Sequence, residues 1–168
     1  MAHVNHREAA PRSIRVAVLT VSDTRTPDTD ESGALIRDLS VGAGHRVVRY
    51  EVIPDGTERL TLAVREALDA GAEAVLVNGG TGLSGRDRSY EAIASLLDRR
   101  IDGFGELFRW LSFRSIGAAA MLSRAVAGLV DGRPVFSMPG SPAAVRLAME
   151  ELILPELGHV VNEARRAT

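Results

Sequence analysis

Residues 74–87 read AVLVNGGTGLSGRD, a short apolar run broken off by a loop that sets Gly79, Gly80, Gly82 and Gly85 among Thr81, Ser84, Arg86 and Asp87. A run of this length rich in Val and Leu has the character of a buried strand. Glycines directly after it open backbone angles closed to other residues and let the main chain pass close to a ligand. In an open α/β sheet, ligands settle in the crevice beyond the carboxyl ends of the strands, which makes this turn the first candidate site.

The flanking chain alternates in the same way. Ile14–Val21 is almost unbroken in β-branched and apolar residues, as in a strand covered on both faces. The polar stretch Ser22–Asp30 disfavours a helix interior and ends at Asp30, a helix cap. Leu35, Ile36 and Leu39 then fall at helical spacing until Gly42 and Gly44. Arg46–Ile53 predicts a second strand, Pro54-Asp55-Gly56 a turn and Thr57 a cap, with Leu60, Val64, Ala67 and Leu68 on one helical face. After the glycine loop, Ser89 reads as the cap of a helix over 90–97 and Asp102–Gly105 as a break. Glu106–Ile116 follows as an amphipathic helix with large side chains around Trp110. Its surplus apolar surface points to a subunit contact. Asp131-Gly132 between two apolar runs predicts a hairpin. Pro139–Pro142 forms a third loop after a strand, and residues 143–153 predict a closing helix with a polar tail beyond Pro155.

Strands alternating with helices predict an α/β protein, a three-layer α/β/α sandwich with a mainly parallel sheet and an antiparallel strand from the hairpin. Residues 1–13 read as a flexible N-terminal segment, 14–157 as a single domain and 158–168 as a C-terminal tail. If the strands before Ser22, Gly79 and Gly140 are neighbours, their loops meet along one edge.

Composition narrows the chemistry. A chain of 168 residues suits one compact domain and needs no metal or disulfide to hold it. With no cysteine, disulfides, thiolate metal sites and cysteine nucleophiles are excluded. A net charge of −2 and 4% aromatic residues offer neither the basic footprint nor the stacking platforms of a nucleic-acid binder. No apolar segment approaches the roughly 20 residues that span a bilayer, and the N-terminus lacks a signal peptide's apolar core, so a cytoplasmic location is expected. His3, His6, His45 and His159 show no metal-ligand spacing and read as surface or tail residues.

Two phosphate motifs nearly fit the loop. Gly80, Gly82 and Gly85 satisfy G-x-G-x-x-G, yet that fingerprint needs a helix opening on the glycines of the first βαβ unit. Here the strand is the third and the helix waits until Ser89. Gly80 to Gly85 also gives the spacing of a phosphate-cradling loop, but Arg86-Asp87 stands where Lys and Ser or Thr would hold phosphate and magnesium, which excludes a standard P-loop. What survives is a run of backbone N–H donors, two hydroxyls, two arginines and a carboxylate. Asp87 can close a turn or sit beside a phosphate and hold magnesium. Asp55, inside Pro-Asp-Gly, carries the same choice, and so does Asp23, for which closing its polar turn is the plain alternative. No nucleophile elbow surrounds Ser22, Ser84 or Ser141.

Taken in order, TVSDTRTPDTDESG at Thr20, IPDG at Ile53, NGGTGLSGRD at Asn78, FGELFRWLSFRSIG at Phe104, LSRAVAG at Leu122 and MPGSPAAV at Met138 resemble the molybdopterin-binding MoaB/MogA family of molybdenum cofactor biosynthesis. The match spans residues 14–157, and the FGELFRWLSFRSIG block is closer to the MoaB branch. The resemblance implies an α/β/α fold assembled as a trimer or a dimer of trimers, with molybdopterin as ligand. Active members transfer AMP from magnesium ATP to the terminal phosphate of molybdopterin, an adenylyltransferase reaction; the alternative is a non-catalytic carrier of the same pathway, able to meet its other proteins. Carried over by position, Gly79, Gly80, Thr81 and Gly82 match the ligand loop, and Asp55 and Asp87 match the functional aspartates that help place Mg2+. Ser22, Asp23, Gly140 and Ser141 match segments that border the pocket. The family commonly has Thr at the place of Asn78 and Val-Thr-Pro at the place of Arg88-Ser89-Tyr90.

Overall fold

The computed structural model describes residues 11–166. Its frame is one six-stranded sheet in the order β2-β1-β3-β6-β5-β4, with β1 Arg15–Val21, β2 Arg46–Ile53, β3 Ala74–Asn78, β4 Arg99–Arg100, β5 Val126–Val130 and β6 Arg133–Met138. The four strands β2, β1, β3 and β6 run parallel, and β6, β5 and β4 pair antiparallel. Asp131 and Gly132 join β5 to β6 with φ of 49° and 70°, the left-handed pair that a two-residue hairpin requires.

Alternation along the strands splits the interior into two layers. Val16 and Val18 of β1 face one core with Ile36, Phe104, Phe108, Val145 and Met149; Ala17, Leu19 and Val21 face the other with Leu60, Val64, Ala67 and Ile93. Each fully buried Leu or Ile contributes about 1.5–3 kcal/mol over its exposed state. Helices α1 Glu31–Gly42 and α4 Asp102–Ile116 cover the first face. Helices α2 Thr57–Asp69 and α3 Ser89–Leu96 cover the second. From β1 the chain steps outward to β2 and then crosses back over β1 to β3, so the direction of winding reverses between β1 and β3.

The folded chain corrects several expectations. Asp102–Gly105 is no break but the first turn of α4. Gly105 tolerates its helical position because a Cβ there would lie 2.8 Å from the carbonyl oxygen of Ala125, so close packing on β5 selects the glycine. The two-residue strand β4 had no signal in the sequence. Thr57 and Ser89 do not cap: each is the first residue of its helix, with Gly56 and Arg88 at the cap positions and no side-chain cap bond. Residues 158–166 are not a tail. The closing element begins as α5 Pro142–Leu147, widens to a π turn over Ala148–Ile153 and runs on as α6 Leu154–Arg166. The Leu154 amide bonds the Met149 carbonyl, five residues back, a shift of register just before Pro155, which has no N–H to give. Leu157, Val161 and Ala164 bury the next turns. His45 is buried and accepts a bond from the Ile14 amide at 3.2 Å, and burial lowers its pKa. His159 is half-buried beside Glu156, while His3, His6 and residues 1–10 lie outside the described residues.

Candidate functional site

The strands that precede Ser22, Gly79 and Gly140 are β1, β3 and β6, adjacent and parallel, so their loops leave the sheet at one edge as expected. That edge includes the point where winding reverses, the place where the strand ends splay and leave room for a ligand. A crevice of about 120 Å³ lies there, with Thr20, Ser22, Asn78, Gly79 and Gly140 among its walls. A hollow of about 710 Å³ on the outer edge of β2 is larger, but it is a wide surface depression where no strand ends converge.

The floor of the crevice is main chain. Gly79 has φ 93°, and a Cβ on it would lie 2.3 Å from the Val21 carbonyl oxygen. Gly140 stands over it, with its own Cβ position 3.0 Å from the Gly79 Cα. Gly80, at φ 63°, would set a Cβ 2.3 Å from Ser89 Oγ and 3.1 Å from Asp55 Oδ1. These positions exclude side chains, which is how the sequence brings three loops into backbone contact. Asn78 Nδ2 donates to Thr20 Oγ1 at 2.9 Å and ties β3 to β1, while its Oδ1 is buried without a protein partner. Ser32 Oγ donates to the Gly140 carbonyl at 2.7 Å. Asp30 caps α1 as expected, accepting from the Gly33 amide at 2.9 Å and from the Tyr50 hydroxyl at 2.7 Å.

Around that floor stand carboxylates. Asp23 Oδ1 accepts from the Asp55 amide at 2.9 Å, which joins the Ser22 loop to the turn after β2. Burial, then the negative charges of Asp23 and Asp87, raise the pKa of the Asp55 carboxyl above its ordinary value. Asp55 therefore feels both of the other aspartates. Asp87 Oδ2 accepts from the Ser84 amide at 3.1 Å and from the Ser84 hydroxyl, closing the loop as a turn. A Cβ on Gly82 would lie 2.7 Å from the same oxygen. Thr81 is buried, whereas Leu83, Ser84, Gly85 and Arg86 are exposed.

Two hydroxyl oxygens are spent locally. Ser22 Oγ accepts from the Thr24 and Arg25 amides at 3.2 and 3.1 Å, and Ser141 Oγ caps α5 by accepting from the Ala144 amide at 3.2 Å. Ser22 lines the crevice, whereas Ser141 borders a separate hollow with Ser112 and Ile116. Among the described residues no three His, Cys, Asp or Glu side chains form a ready metal cage. The carboxylate set nonetheless fits Mg2+, which takes one or two protein carboxylates and completes its shell with water and phosphate. Mutual repulsion at Asp55 is the cost that a dication would relieve.

One residue of the site escaped the sequence. Arg124, between the 3-10 turn Gly117–Leu122 and β5, reaches the glycine loop: Nε donates to the Thr81 carbonyl at 3.1 Å, and Nη2 to the carbonyls of Gly82 at 2.5 Å and Asp87 at 2.7 Å. It lies within the LSRAVAG stretch, but no local pattern betrays a partner some 40 residues away.

A glycine-floored, carboxylate-rimmed crevice at the reversal point of a parallel sheet defines an α/β ligand-binding domain. Residues 17–159 match the family described as "Probable molybdopterin binding domain". The chain is 52% identical to molybdenum cofactor biosynthesis protein B of Halalkalibacterium halodurans over 94% of each chain. A crystal structure of a molybdenum cofactor biosynthesis protein B superposes with a TM-score of 0.91 at 50% identity, covering 94% of this chain and 99% of that one. The tungsten cofactor synthesizing protein MoaB of Pyrococcus furiosus gives a TM-score of 0.84 at 36% identity over 93% of this chain and 99% of its own. The chain belongs to the molybdopterin-binding MoaB/MogA family.

Proposed function

We propose that this chain binds molybdopterin at the crevice and adenylylates its terminal phosphate with magnesium ATP. An oxygen of that phosphate attacks the α-phosphorus of ATP, a new P–O–P bond forms, and pyrophosphate leaves with the electrons of the broken bond. Such a transfer needs little covalent help from the protein and depends on alignment and charge. The backbone of Gly79, Gly80 and Gly82, with Thr81, would seat the phosphorylated ligand. Asp55 and Asp87 would hold Mg2+, with Asp23 fixing the Asp55 turn. Bound there, the cation would draw charge from the leaving pyrophosphate. The observation that carries this reading is a loop that excludes Cβ atoms with two carboxylates against it, Asp55 Oδ1 3.1 Å from the Gly80 Cβ position and Asp87 Oδ2 2.7 Å from that of Gly82.

A second reading, a non-catalytic carrier of molybdopterin, is favoured by the bonds that engage Asp87 with Ser84 inside its own loop. Incubation with molybdopterin and magnesium ATP separates the two. AMP transfer that Asp87→Asn reduces at least a hundredfold supports the enzyme; binding without transfer removes it and leaves the carrier.

The assembly belongs to the same proposal. Leu107, Trp110, Phe113 and Ile116 of α4 and Met121 and Leu122 of the following turn are exposed, an apolar strip that suits a homo-oligomer, a trimer or a dimer of trimers. Contact with other proteins of the pathway and a cytoplasmic location complete the proposal. No helix among the described residues is long and apolar enough to cross a membrane.

A further inference from the structure

The segment 81–88 is a glycine-containing loop with largely exposed residues, and its own hydrogen bonds, Ser84 to Asp87 and Arg88 to Gly85, are local. Left to those alone it would be free to tilt. Arg124 supplies a tie from outside the loop and holds both ends at once, Thr81 and Gly82 on one side and Asp87 on the other. Its Nη1 is fixed in turn by Glu91 of α3 at 2.5 Å, and the guanidinium lies 5.5 Å from the Tyr90 ring centre. The planar fork therefore uses Nε and both Nη atoms on separate partners, a geometry open to arginine and closed to lysine.

We propose that Arg124 is the positioning residue of the ligand loop, acting through carbonyls rather than by touching the ligand. A carbonyl held by the guanidinium is kept out of the crevice, where it would repel a phosphate. The same contact brings a positive charge behind the loop and fixes the distance between Gly82 and Asp87. The inference rests on the reading of residues 79–87 as the ligand loop, and it assigns that loop's order to a side chain more than 30 residues beyond it.

The test uses the full chain with Arg124→Met and Arg124→Lys, read in two ways. Hydrogen exchange of the 81–88 amides in the ligand-free protein should speed up at least tenfold in both variants, with the amides of β1 and β3 unchanged. The dissociation constant for molybdopterin should rise at least tenfold in both, with lysine giving no more than partial rescue. Unchanged loop exchange, full rescue by lysine, or binding within twofold of the parent in Arg124→Met overturns the proposal. If Arg124→Met fails to fold, Glu91→Ala releases Nη1 alone and should speed loop exchange about threefold; no change there overturns it as well. If the parent chain itself does not bind molybdopterin, the functional reading fails while the exchange measurement still decides Arg124.

Discussion

Gly79→Ala isolates the idea that the crevice floor is built from main chain with no room for side chains. At φ 93° an alanine is strained in any surroundings, a cost of about 1–3 kcal/mol. Its Cβ would also begin 2.3 Å from the Val21 carbonyl oxygen, backbone at the end of a buried strand, so the β1 and β3 ends must part by nearly an ångström to restore contact distance. Together these effects amount to about 3 kcal/mol, or roughly 6–12 °C in Tm for a domain of this size. Gly85→Ala in the same loop is the control: no atom lies within 4 Å of its Cβ position, and its φ is not in the left-handed region. It should change stability by less than about 1 kcal/mol. Thermal unfolding followed by circular dichroism measures both. A Gly79→Ala Tm within 2 °C of the parent, or equal losses for the two variants, would refute the floor model.

Two further outcomes concern charge and assembly. Because the folded Asp55 carboxyl has a raised pKa, the native state holds its proton more tightly than the unfolded chain, and this group's contribution to stability falls as pH rises through the window between the two values. Asp55→Asn should therefore gain stability relative to the parent as pH rises from about 3 to about 7, measured as urea midpoints, and a pH-independent difference would dismiss the raised pKa. Trp110 is 57% exposed in the single chain, so Trp110→Asp should leave folding intact yet shift the mass seen by analytical ultracentrifugation toward the monomer. An unchanged mass would remove α4 from the interface.

The fold was legible wherever local pattern and tertiary context agree. Val-rich runs gave the central strands, and Asp131-Gly132 gave the hairpin, because a two-residue turn is decided by its own backbone angles. Failures came where a distant contact decided. Gly103 and Gly105 look like helix breakers, but Gly105 is chosen by the Ala125 carbonyl that passes over it. Pro155 looks like a stop, yet the π turn before it absorbs the missing donor, and the spacing of Leu157, Val161 and Ala164 shows a helical face once that stop is discounted. The glycine loop and Asp55 were visible as residues, and the approach of Asp23, Asp55 and Asp87 followed from strand order. Arg124 was invisible, because its contacts to the loop are made to carbonyl oxygens, which every residue has.

The contact between Gly79 and the Val21 carbonyl also bears on how such a site diversifies. A floor made of backbone has no side chain to exchange, so substitution there can only damage it. The rim differs: Ser84, Arg86 and Arg88 are exposed side chains on the loop that follows β3. The scaffold thus separates two tasks, with the holding of a ligand assigned to main chain and the choice of ligand left to the side chains of the rim.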